Sequence, residues 1–278
     1  MSDRSHKWLG PIGLFDSGVG GLSVLRALRV ALPEERFYYV ADSANCPYGP
    51  RPAAEIRDLS LGIARFLIAQ GAKTIVVACN TASAAALADL RASFDIPFVG
   101  MVPPVKPAAG LSATGVVGVL ATPTTFSGAL YHDVVERHAA SACVISQVCD
   151  GLVERVEQGD VAGPETLALL RGCLAPLLAA GADTLVLGCT HYPFLIPAIR
   201  RLVGNALQII EPSEAVARQT LYVLEREGLR RPPKAPLAES VFATTGRQAD
   251  LERALRQLLG WPHAAIALRW SAGALCAA

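Results

Sequence analysis

Short runs of aliphatic and β-branched residues alternate along the chain with longer stretches in which apolar side chains recur every three or four positions. Ile12–Phe15 is the first such run; a glycine-rich turn follows it, and apolar spacing predicts a helix near Leu22–Ala31. Phe37–Ala41 predicts a second strand and Ala53–Gln70 a helix. Lys73–Ala78 predicts a third strand and Ala82–Ser93 the helix after it, while Gly115–Leu120, Ala142–Val148 and Thr184–Leu187 predict later strands. Continuously apolar strands joined by helices indicate parallel sheets covered on both faces. The expected fold is therefore α/β of the doubly wound type.

An internal repeat divides this pattern in two. The segment Gly71-Ala72-Lys73-Thr74-Ile75-Val76-Val77-Ala78-Cys79-Asn80-Thr81 aligns without gaps with Gly181-Ala182-Asp183-Thr184-Leu185-Val186-Leu187-Gly188-Cys189-Thr190-His191, at a constant offset of 110 residues. A fainter echo pairs Ile12-Gly13-Leu14-Phe15 with Val117-Gly118-Val119-Leu120. Two matches in the same order predict a duplicated half, hence two similar flavodoxin-like lobes related by a pseudo-twofold axis with a cleft between them. Pro103-Pro104 marks the first boundary and Glu211-Pro212 the second. The first lobe is expected over residues 11–101 plus 212–260 and the second over 102–211; residues 1–10 and 261–278 carry no legible element.

Composition narrows the function classes. The 278-residue chain has a net charge of +1, which leaves no electrostatic footprint for nucleic acid or an acidic membrane. Residues 107–132 lack Asp, Glu, Lys and Arg, but glycines, Pro123 and hydroxyl residues interrupt them, so a buried strand and turn explain them better than a membrane span. The seven cysteines are odd in number, scattered, and without C-x-x-C spacing, which argues against a disulfide framework, a zinc ribbon or a redox motif. No metal site is expected. The polar start of the chain does not read as a leader. A reducing cytoplasm and a small-molecule partner follow as expectations.

The repeat also carries the candidate chemistry. Ligands of doubly wound folds bind beyond the carboxyl ends of the strands, and Cys79 and Cys189 both stand there, before elements whose N-terminal amides favour thiolate. Inverting a Cα centre needs a base on one face and an acid on the other, with the roles exchanged in reverse, so two equivalent thiols suit that reaction. Cys46, Cys143, Cys149, Cys173 and Cys276 lack this context and read as small hydrophobes. Asp16-Ser17-Gly18-Val19-Gly20-Gly21 lies between a strand and a helix, where backbone amides can approach an anion. It is neither G-x-G-x-x-G nor a P-loop, so a carboxylate fits it better than a nucleotide. Asp16 either caps the helix or acts on substrate or thiol. Asp42 and Pro47-Tyr48-Gly49 fall at another strand end, and the imidazole of His191 is close enough to Cys189 in sequence to assist proton transfer.

Taken together, Phe15–Gly21, Asp42 with Pro47-Tyr48-Gly49, Ala78–Thr81, Ala121-Thr122-Pro123-Thr124-Thr125, Gly188–Pro193 and Thr244-Thr245-Gly246 resemble the glutamate racemase family, over roughly residues 11–260. The resemblance implies racemisation of glutamate without a cofactor, supplying D-glutamate for peptidoglycan, and commonly a homodimer. It implies that Cys79 deprotonates the D-enantiomer and Cys189 the L-enantiomer, with Asp16 assisting the first and His191 the second. Substrate contacts fall to Asp16, Ser17, Tyr48, Gly49, Asn80, Thr81, Thr122, Thr125, Thr190 and His191. The family's acidic helper aligns with Glu157, although Asp150 stands where the family has proline; a surface-helix glutamate is the competing reading.

Three other readings make distinct predictions. An aspartate or hydantoin racemase-like enzyme shares the two-thiol plan, and Tyr48-Gly49 with Asp16-Ser17 favour glutamate. A two-lobed protein that binds an amino acid without reacting would not need two thiols. A redox sensor predicts a Cys79–Cys189 disulfide.

Overall fold

The computed structural model describes residues 8–138, 142–232 and 239–278; the polar segment 1–7, read above as no leader, lies outside them. The chain begins β1 (Ile12–Asp16), α1 (Leu22–Ala31), β2 (Phe37–Ala41), α2 (Ala53–Ala69), β3 (Thr74–Val77), α3 (Asn80–Ser93), β4 (Phe98–Val99). After residues 100–104 come α4 (Val105–Leu111), β5 (Val116–Leu120), α5 (Pro123–Ser127), α6 (Ala129–His138), β6 (Cys143–Gln147), α7 (Leu152–Glu157), α8 (Pro164–Ala179), β7 (Thr184–Leu187), α9 (Ile196–Val203) and β8 (Gln208–Ile210). The remainder is α10 (Ser213–Arg226), β9 (Val241–Thr244), α11 (Gln248–Leu259), β10 (Ile266–Ser271) and β11 (Ala274–Ala277).

Two sheets result. The first runs β11-β10-β9-β2-β1-β3-β4 and the second β6-β5-β7-β8. All neighbours pair in parallel except the β10–β11 hairpin. The order β2-β1-β3-β4 is that of β6-β5-β7-β8 once the repeat is applied. The match extends to register: Ile12 pairs with Thr74 and Phe15 with Val77, while Val117 pairs with Thr184 and Leu120 with Leu187.

Smaller features repeat with it. Gly71 and Gly181 both take a left-handed conformation, at φ 81° and 80°, between helix and strand, a conformation that glycine adopts without steric cost. Ala72 and Ala182 each donate 3.0 Å hydrogen bonds, to Leu67 O and Leu177 O. Those leucines also press on the strands: a Cβ on Gly13 would lie 3.2 Å from Leu67 Cδ1, and one on Gly118 would lie 2.7 Å from Leu177 Cδ1. Helix and sheet therefore meet on glycine in both lobes.

Alternating strand residues fill different cores, as the two-residue period of a strand requires. Leu14 and Val76 join a cluster that continues through Leu120, Leu152 and Leu187, linking the lobes. Phe15, Val40, Ile75 and Val77 face α2 and α3 on the other side of the first sheet. Val117, Val119 and Val186 fill the far side of the second. From β8 the chain enters α10, which packs on α1, and β9 extends the first sheet beside β2. Residues 261–278, legible as no element in the sequence, add β10 and β11 to the same sheet, and Trp270 Nε1 donates to Asp42 Oδ1 at 2.8 Å.

One cysteine expectation is corrected. Cys149, in the turn after β6, and Cys173, on α8, form a disulfide with a Cα separation of 5.9 Å. The intervening α7 and its turn fold α8 back alongside it, so residues 24 apart in sequence become neighbours. Among the described residues no helix is long and apolar enough to cross a membrane.

Candidate active site

Cys79 and Cys189 each stand two residues beyond the carboxyl end of a central strand, at repeat-equivalent positions. They line one cavity with Ser17, Pro47, Tyr48, Gly49, Asn80, Thr81, Thr122, Val153, Thr190 and His191. Its free volume, about 10 Å³, holds roughly one water molecule. Both sulfurs are buried, Cys79 at 4 % and Cys189 at 7 % exposure.

The first sulfur caps a helix. Cys79 has an extended backbone, and its Sγ accepts the Ala82 N–H at 3.4 Å. Asp16, wholly buried at the end of β1, lies near enough for its charge to act on this thiol. Burial, and then the Asp16 charge, push the Cys79 thiol well up, so it rests protonated. Burial also raises Asp16, opposed by the His191 cation and the Gly21 N–H. Asp16 Oδ2 accepts that N–H at 2.7 Å and the Thr190 hydroxyl, from the other lobe, at 3.5 Å.

The second sulfur faces an imidazole. After Cys189 the chain forms a 3-10 turn over Tyr192–Leu195 rather than entering a helix directly. His191 Nδ1 lies 3.6 Å from Cys189 Sγ, and Nε2 lies 2.6 Å from Glu157 Oε1. Burial would lower the imidazole, but hydrogen bonds with Cys189, Cys46 and Glu157 outweigh it and hold His191 well above its ordinary value. Burial would raise Glu157; its contacts with His191 and the Val19 N–H hold it below. Glu157 is thus drawn into the interior at the end of α7.

The glycine-rich loop does bind carboxylates, but they belong to the protein. Val19 N donates to Glu157 Oε1 at 2.7 Å and Gly21 N donates to Asp16. A Cβ at Gly18 would lie 1.9 Å from Glu157 Oε1, and one at Gly20 would lie 2.4 Å from His191 Nδ1. Only glycine lets this loop press against the second lobe. Ser23 Oγ adds a cross-lobe bond to Thr190 O at 2.9 Å.

The remaining predicted residues divide by position. Tyr48 lines the cavity and is buried, with its hydroxyl donated to Asp42 at 2.6 Å. Asp42 also accepts from Thr245 at 2.7 Å, making it the anchor of the Cys46–Gly49 turn. Thr81 and Thr122 meet across the lobes at 2.9 Å, and Thr124 donates to Gly49 O at 2.7 Å. Thr125 stands behind Thr122, 3.0 Å away, and does not line the cavity. Asn80 is 3 % exposed, yet neither amide atom has a partner among the described residues, and Asp16 Oδ1 also lacks one there. Leaving such groups unpaired costs about 1–3 kcal/mol each, a cost that a polar ligand in the cavity removes.

Cys46, read from the sequence as a small hydrophobe, packs partly buried against the core. Its thiol sits beside His191 and Glu157. The available signal was its place directly before Pro47-Tyr48-Gly49, a turn already expected at the cleft.

Comparison with known proteins agrees with this geometry. The Asp/Glu/Hydantoin racemase family model matches residues 20–220. A glutamate racemase of Roseiflexus is 55 % identical over 247 residues, covering 88 % of this chain and 90 % of its own. A glutamate racemase isoform from Bacillus anthracis superposes with a TM-score of 0.83 at 32 % identity, over 95 % of this chain and 98 % of that one. The Escherichia coli glutamate racemase, solved with L-glutamate and an activator, gives a TM-score of 0.80 at 33 % identity, over 90 % and 95 %. With the fold, the repeated cysteines and these likenesses in agreement, the chain belongs to the Asp/Glu/Hydantoin racemase family.

Proposed function

We infer that this protein interconverts L- and D-glutamate by two-base proton transfer at Cα, supplying D-glutamate for peptidoglycan. The observation that carries the reading is the pair of repeat-equivalent thiols facing one cavity from opposite lobes. The relatives' printed names and the L-glutamate in the Escherichia coli structure support glutamate as the substrate.

From L-glutamate, the Cys189 thiolate takes the α-proton while the Cys79 thiol gives its own to the opposite face. The products are D-glutamate, a Cys189 thiol and a Cys79 thiolate. The reverse reaction exchanges the roles. His191, oriented by Glu157, hands a proton on to that carboxylate and to solvent and then takes the Cys189 proton, restoring its thiolate; Asp16 accepts the Cys79 proton in the same way. Asn80 offers its unpaired amide to substrate, and Ser17, Gly49, Thr81, Thr122, Thr190 and His191 line the closing surface.

The proposed moving units are residues 11–101 plus 212–260 and residues 102–211. Closure makes the Val19–Glu157, Thr190–Asp16 and Thr81–Thr122 contacts, so the supports of both sulfurs form as water is expelled. The proposed enzyme is cytoplasmic, needs no cofactor, and works as a homodimer. Incubation of metal-free protein with L-glutamate should yield D-glutamate, with aspartate turned over far more slowly. Turnover only after a cofactor is added, or of aspartate in preference, would overturn the reading.

A further inference from the structure

We propose that Cys46 Sγ, Glu157 carboxylate oxygen and His191 Nε2 form a capture site for Zn²⁺, distinct from the Cys79–Cys189 pair, through which the metal switches off the second sulfur's proton relay. One ligand atom from each of these residues lies within 4.8 Å of the other two. No spacing motif announces the site, because its ligands come from three distant segments: the turn after β2, the end of α7 and the turn after β7.

The donor set is the first argument. One thiolate, one imidazole and one carboxylate are ligand types that zinc takes, and three protein ligands with a fourth position open is a common arrangement. Zinc binds sulfur at about 2.3 Å and nitrogen or oxygen at about 2.0–2.2 Å, which sets tetrahedral donors about 3.3–3.6 Å apart. The Nε2–Oε1 pair, now 2.6 Å apart, must open by roughly 1 Å or less for these bonds to form. Glu157 allows this: it ends a six-residue helix and its side chain is 21 % exposed.

Access is the second argument. Cys46 and Glu157 also line a separate cavity of about 330 Å³ behind the catalytic one, reaching Asp250 and Arg253. A hydrated ion reaches Cys46 and Glu157 from that side, where Glu154 and Gln158 of the second lobe face Ser43 and Arg247 of the first, without crossing the catalytic cavity. The fourth ligand is then a water in this cavity.

The consequence follows from the ring. As the metal binds, the thiol proton and the proton shared by Nε2 and Oε1 pass to solvent. With Nε2 on zinc, the remaining ring proton sits on Nδ1, which faces Cys189 Sγ at 3.6 Å. Zinc also replaces Glu157 at Nε2, so the ring can no longer hand a proton on to that carboxylate, and the route from Cys189 ends at the ring. Loss of the relay slows both directions equally, since the enzyme cannot alter the equilibrium.

Binding needs no turnover, and only the inhibition rests on the racemase reading. Equilibrium dialysis of the full chain with Zn²⁺, and absorbance with Co²⁺ as a spectroscopic substitute, therefore test the site separately from activity. The expected result is one Zn²⁺ per chain, a thiolate–cobalt band, and racemisation suppressed by equimolar zinc. Cys46→Ala and Cys46→Ser should weaken binding by about 100-fold, as loss of a metal-site partner does, and raise the half-inhibiting zinc concentration by the same factor relative to each variant's own rate. Glu157→Gln should also weaken binding. Unchanged zinc affinity and an intact cobalt band in the Cys46 variants would overturn the proposal, placing the metal on Cys79 and Cys189; absence of stoichiometric binding to the unsubstituted chain would overturn it too.

Discussion

In the first lobe Cys79 caps a helix and lies against the carboxyl of Asp16; in the second, Cys189 opens onto a 3-10 turn and faces an imidazole held by Glu157. The strands behind them share order, register and flanking glycines. Duplication thus sets where each sulfur stands, and divergence of the neighbours gives each a different partner. The supports are also crossed. Glu157 of the second lobe rests on Val19 N–H of the first, and Asp16 of the first accepts from Thr190 of the second. Neither carboxylate finds all its partners within one lobe.

Removing a sulfur should break this comparison most severely. Loss of a general acid–base group costs typically about 10²–10⁴ in rate, and Cys79→Ala and Cys189→Ala should each lower racemisation toward the upper end of that range. What remains should differ in face. Cys189→Ala, keeping Cys79, should exchange the α-hydrogen of D-glutamate only, and Cys79→Ala that of L-glutamate only, as read by NMR in D2O. Exchange of both enantiomers by either variant would dissolve the assignment.

Changing the helpers should sharpen the comparison with smaller effects. Glu157→Gln and Asp16→Asn should each slow turnover by about 10–100-fold, as loss of a positioning partner does. Both directions slow together, so the isotope effect separates the variants. With α-deuterated substrate, Glu157→Gln should raise the effect starting from L-glutamate and lower it from D-glutamate, and Asp16→Asn should do the reverse. Equal changes in both variants would mean that the two carboxylates are not assigned one to each sulfur.

Stability offers a further contrast at a repeat-equivalent pair. Lys73 and Asp183 occupy matching positions, yet Lys73 forms a buried pair with Glu35, both side chains 2 % exposed, whereas Asp183 accepts from Ser112 and from the amides of Ala113 and Thr114 at the surface. Breaking a buried pair costs about 3–5 kcal/mol, so Lys73→Met should lower the denaturation midpoint far more than Asp183→Asn. Equal losses would show that the Lys73–Glu35 pair is not set apart by its burial.

The smallest effect concerns Asp16 itself. Its raised pKa means that the folded state holds the proton more tightly than the unfolded chain, so the ionised carboxylate opposes folding at neutral pH and this penalty fades as pH falls through the folded pKa. Asp16→Asn should therefore raise Tm at neutral pH by roughly 2–4 °C, about what 1 kcal/mol gives in a chain of this class. The gain should shrink in acid. A lower Tm would show that the carboxylate's hydrogen bonds outweigh its burial.

Much of this architecture was legible because the duplication wrote it twice. β3 and β7 could be placed from one aligned segment, and with them both sulfurs. β9, β10 and β11 were not legible: they extend a sheet built by distant segments and have no repeat partner among the described residues of the second lobe. The contacts of Cys46 and the Cys149–Cys173 pairing were not legible for a related reason. Their neighbours are brought to them by turns, and turn geometry leaves no period in the sequence. Glu157 was found by resemblance, but its contact with His191 depends on Gly18, whose missing Cβ leaves room for the carboxylate.

The central claim is that two different sulfurs act on opposite faces of one carbon. Its most direct test follows L-glutamate in D2O and reads deuterium at Cα in both enantiomers at low conversion. The account predicts that D-glutamate carries deuterium from its first appearance, delivered by Cys79, while the remaining L-glutamate keeps its protium. Protium carried over into the D-product, or deuterium entering both enantiomers at the same rate, would contradict it.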